Sequence, residues 1–203
     1  MINVKIIRHS ERLDFANPIY WCFCVGQYMA DPPLTTRGHK MANDAGKTLV
    51  SKEFHPKYIY TSPYIRTMST ATEIKNSFPE SEILIEPLLS EFQYYIKHTT
   101  NMYPDGIPTN YNKTETGFKY PESTEEFNNR VKFILKAILS KTDTSIIIVT
   151  HGGFLRACIN YVQTMYPSLM LDSSNIPYLT TLSFDYNTQS STICEKTVAI
   201  NFV

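Results

Sequence analysis

An α/β sandwich, with a mostly parallel central sheet and helices on both faces, is what this 203-residue sequence predicts. Three observations predict it. Short apolar runs rich in β-branched residues, Val4–Ile7 and Ser145–Val149 above all, suit strands buried on both faces of a parallel sheet. Between such runs lie segments with helical apolar spacing and capping signals at their starts, so strands and helices alternate. The chain closes on two strand-like stretches around Asn187-Thr188-Gln189-Ser190, the pattern of a C-terminal hairpin.

In chain order, Val4–Ile7 is the first strand and stops at Arg8-His9-Ser10-Glu11-Arg12. Residues 13 to 33 read as irregular and aromatic, with Phe15, Tyr20, Trp21, Phe23 and Tyr28, and end on Pro32-Pro33. A helix from Thr35, a good cap residue, to about Lys52 turns Met41, Ala45, Leu49 and Val50 inward. Lys57–Tyr60 is the second strand. Ser62 as cap and Pro63 at the first helical position then open a helix with Arg66 in its first turn. Glu82–Ile85 is the third strand, broken at Pro87. From 92 to 121 Asn, Thr, Pro, Gly and Tyr dominate; an irregular stretch of that length predicts a small cap over the carboxyl edge of the sheet. Ser123-Thr124-Glu125-Glu126 is a capping box opening a helix to about Lys141, with Phe127, Val131, Ile134, Leu135 and Ile138 inward. Ser145–Val149 is the most hydrophobic strand and belongs in the middle of the sheet. His151-Gly152-Gly153 leads into a helix through about Met165, and Tyr178–Tyr186 with Thr192–Ala199 form the hairpin. Residues 1–203 read as one domain without repeats.

Nineteen basic and nineteen acidic side chains cancel, so neither nucleic acid nor an anionic membrane is expected as a partner. With the first strand at Ile2 and no apolar run of membrane-spanning length, a cytoplasmic location is expected. Of the four cysteines, Cys158 and Cys194 read as buried thiols, and Cys22-Phe23-Cys24 lacks the second pair or neighbouring His of a metal site. Composition leaves a homodimer open.

The chemistry gathers at strand ends. A His directly after a buried strand sits at the carboxyl edge, where open α/β sheets bind ligands. Arg8 and Arg12, four residues apart, flank His9, and two guanidiniums around one imidazole fit a phosphate better than a core. Ser62-Pro63-Tyr64-Ile65-Arg66, Leu88-Leu89-Ser90-Glu91 and Thr150-His151-Gly152-Gly153 each add a residue able to serve a phosphoryl group.

These four motifs, in this order and spacing, resemble the histidine phosphatase superfamily, also called phosphoglycerate mutase-like. The string from Arg8 to Asp14 resembles its ecdysteroid phosphatase and UBASH3 branch. Motif-level resemblance covers roughly residues 1–14, 34–91 and 122–160. It implies the same sandwich fold and a phosphate pocket of Arg8, His9, Arg66 and His151, to which Arg12 and Gly152 add binding groups. Some branches place the acid as Asp directly after the second His, where this chain has Gly152; Glu91 matches the position used by the others. The chain departs from the pattern at Ser10, where the family carries Gly.

The residues support the same chemistry. Neutral imidazole, with an ordinary pKa of about 6.5, can accept a phosphoryl group. His9 is the candidate nucleophile because arginines hold it on both sides, and those arginines would offset the anionic charge that repels a nucleophile. Glu91 is the expected general acid and then base, with Glu11 orienting His9 or pairing with a neighbouring Arg. His39, His55 and His98 read as surface residues. One acid and two histidines without ligand spacing predict neither metal nor cofactor.

The expected activity is phosphate monoester hydrolysis through phospho-His9. A cofactor-dependent phosphoglycerate mutase shares every catalytic residue, but no Arg lies between Arg66 and Arg130 to clamp a substrate carboxylate. An inactive phospho-ligand binding module is disfavoured by intact His9 and Glu91. Aromatic, Arg-poor segments at 13–33 and 92–121 point to a phosphotyrosine-type or other aryl substrate, or a phosphorylated small molecule with an apolar leaving group.

Overall fold

The computed structural model describes residues 1–24, 31–50, 54–92 and 121–202. The cap expected at 92–121, with its tyrosines and His98, falls almost wholly outside the described residues, as does Tyr28.

Strand β1 (Ile2–Arg8) pairs in parallel with β4 (Ile146–Thr150), which pairs with β2 (Tyr58–Thr61), and that with β3 (Glu82–Ile85). On the other side of β1 runs β5 (Thr180–Asn187), antiparallel, so the sheet is mixed. As its composition predicts, β4 is interior to the sheet and all five of its residues are buried.

Side-chain alternation on the strands divides the interior in two. Val4, Ile6, Ile146 and Ile148 face helices α5 (Thr124–Lys141) and α6 (Gly152–Met165). Ile7, Ile59, Ile147 and Val149 face α3 (Thr36–Leu49) and α4 (Ile65–Lys75). The result is the three-layer sandwich. Helix α3 starts as expected, with Thr35 Oγ1 accepting from Gly38 N at 2.7 Å, and ends at Leu49 rather than Lys52. At α5 the capping box forms in both directions, Ser123 N donating to Glu126 Oε2 at 2.7 Å.

Three expectations need correction. The stretch after Arg12 is not irregular throughout; it holds two short helices, α1 (Leu13–Ala16) and α2 (Pro18–Cys24), with Asn17 Oδ1 accepting from Tyr20 N at the second start. Helix α4 starts later than the Ser-Pro signal implies, because Ser62 Oγ is engaged elsewhere. Its first helical N–H, that of Ile65, is instead capped at 2.9 Å by the carboxylate of Asp31 from a distant segment. The returning arm of the C-terminal hairpin is split into β6 (Thr192–Ile193) and β7 (Ala199–Phe202). Both pair with β5, and the 3₁₀ turn Glu195–Thr197 between them arises where Asp185 N donates to the Thr197 hydroxyl instead of a strand carbonyl.

Candidate functional site

Every parallel strand of the sheet ends on the same edge, and the four motifs meet there. His9 follows β1 and stays in register through its N–H, which donates to Thr150 O at 2.8 Å. His151 follows β4, the strand beside it, so the sheet itself sets the two imidazoles 5.5 Å apart between ring centres. Arg66, in the first turn of α4, reaches His151, its Nη2 lying 3.2 Å from the ring's Nδ1.

Hydrogen-bond partners fix both tautomers. His9 Nδ1 lies 2.8 Å from the carbonyl of Ser10, which can only accept, so Nδ1 carries the proton and Nε2 keeps its lone pair. His151 Nδ1 lies 3.2 Å from Arg66 Nη2, which can only donate; His151 Nε2 therefore carries the proton and donates to Ser62 Oγ at 2.8 Å. Burial, then the nearby positive charge of Arg66, pushes the pKa of each ring well below the usual histidine range. Both rings are neutral at neutral pH.

Arg66 is itself buried and is held by Asp31 Oδ1 at 3.1 Å, with Tyr64 stacked beneath its guanidinium at 4.3 Å. Burial pushes the Asp31 carboxyl up, against the opposing pull of the Ile65 N–H and Arg66. Arg8 donates from Nη1 to the carbonyl of Ile176 and stacks 4.5 Å over Tyr178, whose ring is also 5.8 Å from that of His9. Among the described residues, the Nε of Arg8 and the Nε of Arg66 are buried with no hydrogen-bond partner. Orphaned cationic donors of that kind are costly, and they mark where an anion would sit.

Arg12 is placed less simply than its spacing predicts. The residues between it and Arg8 are not helical, and its Nε and Nη2 form a bidentate pair with Asp14 at 2.7 and 2.6 Å. Its charge still reaches His9, Arg66 and His151. Glu11 does not orient His9. Its Oε2 accepts from Thr35 Oγ1 at 2.7 Å and its Oε1 lies 3.5 Å from Arg37.

Glu91 is brought to the same edge. Its Oε2 accepts from Gly153 N at 3.1 Å and its Oε1 from Phe92 N at 3.0 Å, while its charge is felt by Arg8 and Arg66. The double glycine opening α6 makes room for this arrangement. A Cβ at 153 would lie 2.3 Å from Glu91 Oε1, and one at 152 would lie 3.2 Å from Arg8 Nε. Gly152 thus backs the arginine. Ser10, the departure from the usual Gly, is accommodated: its Oγ donates to Gly38 O at 2.7 Å and its N–H to Thr70 Oγ1 at 3.0 Å.

Sequence reasoning missed Asp31, Ser62 as the partner of His151, and Tyr178. Asp31 and Tyr178 stand outside any motif, and the Ser-Pro pair at 62–63 is a strong helix signal that hid the other role of Ser62. Outside the site, His39 pairs with Glu73 at 2.8 Å on the surface. Among the described residues no cluster of three or more His, Cys, Asp or Glu side chains is placed to hold a metal ion, and no helix is long and apolar enough to cross a membrane.

The family model of the histidine phosphatase superfamily (branch 1) matches residues 6–195. An uncharacterised phosphoglycerate mutase family protein of Acanthamoeba polyphaga mimivirus is 54% identical over 202 residues, covering 100% of this chain and 99% of the viral one. The ecdysteroid-phosphate phosphatase of Drosophila melanogaster is 26% identical over 76% of this chain, which spans only 26% of that longer protein. Among solved structures, the ecdysone phosphate phosphatase of Bombix mori in complex with tungstate superposes with a TM-score of 0.70 at 18% identity, covering 96% of this chain and 92% of that one. A phosphoserine phosphatase from Entamoeba histolytica in complex with 3-phosphoglyceric acid gives 0.64 at 19% identity, over 100% and 98% of the two chains. These likenesses show the fold.

Proposed function

The chain belongs to the histidine phosphatase superfamily, branch 1, and from that premise we propose that it hydrolyses phosphate monoesters through a phosphohistidine on His9. The observation that carries the reading is a bare imidazole nitrogen in the same pocket as two buried guanidinium nitrogens that have no partner among the described residues. His9 presents a lone pair at Nε2, while Arg8 Nε and Arg66 Nε await an acceptor. A phosphoryl group supplies what all three lack.

On this reading the non-bridging oxygens bind Arg8 and Arg66, with Arg12 contributing charge from further out. Asp31 and the acceptor Nδ1 of His151 together hold the Arg66 guanidinium in place, leaving its Nε for the phosphate. His9 Nε2 attacks phosphorus as the ester P–O bond breaks, and Glu91 gives a proton to the leaving oxygen. Water then attacks the phosphohistidine. Glu91 takes a proton from that water, the P–N bond breaks, and phosphate leaves with His9 neutral again. No step calls on a metal.

The reading is tested by mixing the protein with labelled p-nitrophenyl phosphate in EDTA and mapping the label. Turnover with acid-labile label on His9 is expected; label on Ser or Cys, or activity abolished by EDTA and restored by a divalent ion, overturns it. An assay for transfer between phosphoglycerates separates hydrolysis from the mutase reading, which the absence of Arg between Arg66 and Arg130 disfavours.

The substrate class is proposed to be aryl or similarly apolar phosphate esters, phosphotyrosine included. The rings of Tyr64 and Tyr178 flank the two histidines. The name of the insect relative, an ecdysteroid-phosphate phosphatase, fits an apolar leaving group. A panel ranking phosphotyrosine above 3-phosphoglycerate and fructose bisphosphate in kcat/KM is expected, and the reverse ranking would sink the assignment.

A further inference from the structure

Helix α5 carries a wholly buried arginine whose charge is felt by His151 but whose hydrogen bonds lie outside the phosphate pocket. Arg130 Nε and Nη2 grip the Glu122 carboxylate at 2.9 and 2.5 Å, and the rest of the guanidinium is spent on backbone carbonyls. Nη1 donates to Leu88 O at 2.6 Å and to Ser90 O at 2.9 Å, and Nη2 to Glu91 O at 3.3 Å. The one carbonyl of this stretch that Arg130 does not take, that of Leu89, accepts from Thr150 Oγ1 at 2.7 Å. All four carbonyls from Leu88 to Glu91 are therefore held by side chains from elsewhere in the fold. The three-residue turn's own bonds, Leu89 N to Glu86 O and Ser90 N to Pro87 O, stop at Ser90, one residue short of Glu91.

We propose that Arg130, set by Glu122 and assisted by Thr150, is the positioning residue for the Glu91 carboxylate in proton transfer. The proposal rests on the reading of Glu91 as general acid. Glu91 follows a turn rather than a strand, so its aim depends on where these carbonyls are held. A displacement of about 1 Å at a reacting group can cost on the order of 100-fold. A buried ion pair is in itself weak evidence for stability, but one whose spare donors converge on the backbone of Leu88, Ser90 and Glu91 has a local use.

Arg130→Lys keeps the charge opposite Glu122 but cannot span three carbonyls. The kcat/KM for p-nitrophenyl phosphate, whose leaving group needs little protonation, is expected to fall no more than about threefold, and that for an alkyl ester such as phosphoserine by about 30-fold. In a Glu91→Gln background the same substitution should cost almost nothing further on either ester, since the acid it aims is gone. Thr150→Val, which removes one carbonyl contact without touching a charge, should show a weaker version of the same ester selectivity and serves if Arg130→Lys does not fold. Equal losses on both esters from whichever variant folds, or an undiminished loss in the Glu91→Gln background, overturn the proposal. If Glu91→Gln alone fails to discriminate between the esters, the acid assignment falls and the proposal with it.

Discussion

Where His9 and His151 come straight off paired strands, Glu91 comes off a single 3₁₀ turn and is held by donors reaching in from α5, α6 and β4. The phosphate side of the pocket is made of the sheet. Its histidines are spaced by strand pairing, and its arginine is held by a buried carboxylate. The leaving-group side is made of a loop braced from outside. On the proposed reading, such a division would keep the phosphoryl chemistry fixed in the core while the side that meets the rest of the substrate can vary, as loops on a rigid scaffold do.

The largest effect expected from breaking the strand-built side is at His9. His9→Ala should abolish hydrolysis while the circular dichroism spectrum is retained, since the ring packs at a strand end rather than between layers; residual turnover near the parent rate would refute it. Arg66→Met should cost about 10²–10³-fold in kcat/KM, the usual toll for one transition-state donor. Asp31→Asn should cost less, because it loosens Arg66 without removing it.

On the loop-built side the expected losses depend on the ester. Glu91→Gln should slow phosphoserine by about 10²-fold or more in kcat/KM and p-nitrophenyl phosphate by only a few fold, measured with both esters side by side. Equal slowing would move the acid elsewhere.

The mildest effect concerns stability and again separates the two sides. His9 and His151 are held neutral in the folded chain, whereas the unfolded chain protonates them below about pH 6.5. The unfolded state then binds more protons, so stability falls as pH drops from there, by up to about 1.4 kcal/mol per pH unit for each ring. Urea midpoints between pH 7.5 and 5 should show this slope, and His151→Gln should flatten it if the protein folds. A slope unaltered by loss of either histidine would remove the assignment.

Much of this was legible in the sequence because strand ends announce themselves. Apolar β-branched runs stopping at Arg8-His9 and Thr150-His151 place both histidines on one edge without a structure, and the Ser123 capping box gives α5 to the residue. What was not legible is long-range. That Asp31 caps α4 and holds Arg66 across 35 positions, or that Arg130 reaches back to Leu88 and Ser90, leaves no local pattern. The split of the hairpin's second arm turns on one donor, Asp185 N, choosing a hydroxyl over a carbonyl, a choice invisible to alternation.

The glycines at 38 and 153 divide the same way, and they offer a test for lineage as well as for chemistry. A Cβ at 38 would meet the backbone oxygen of Glu11 at 2.3 Å, so any side chain there forces main chain apart. At 153 the atom in the way is the tip of the Glu91 side chain, which can swing aside. A descendant could therefore acquire alanine at 153, fold normally and keep both histidines and every arginine, yet lose the seat of its carboxylate. Surveys that score such genes by their histidines alone would count it as an enzyme; on the role proposed for Glu91, position 153 is where a silent loss of catalysis would be written.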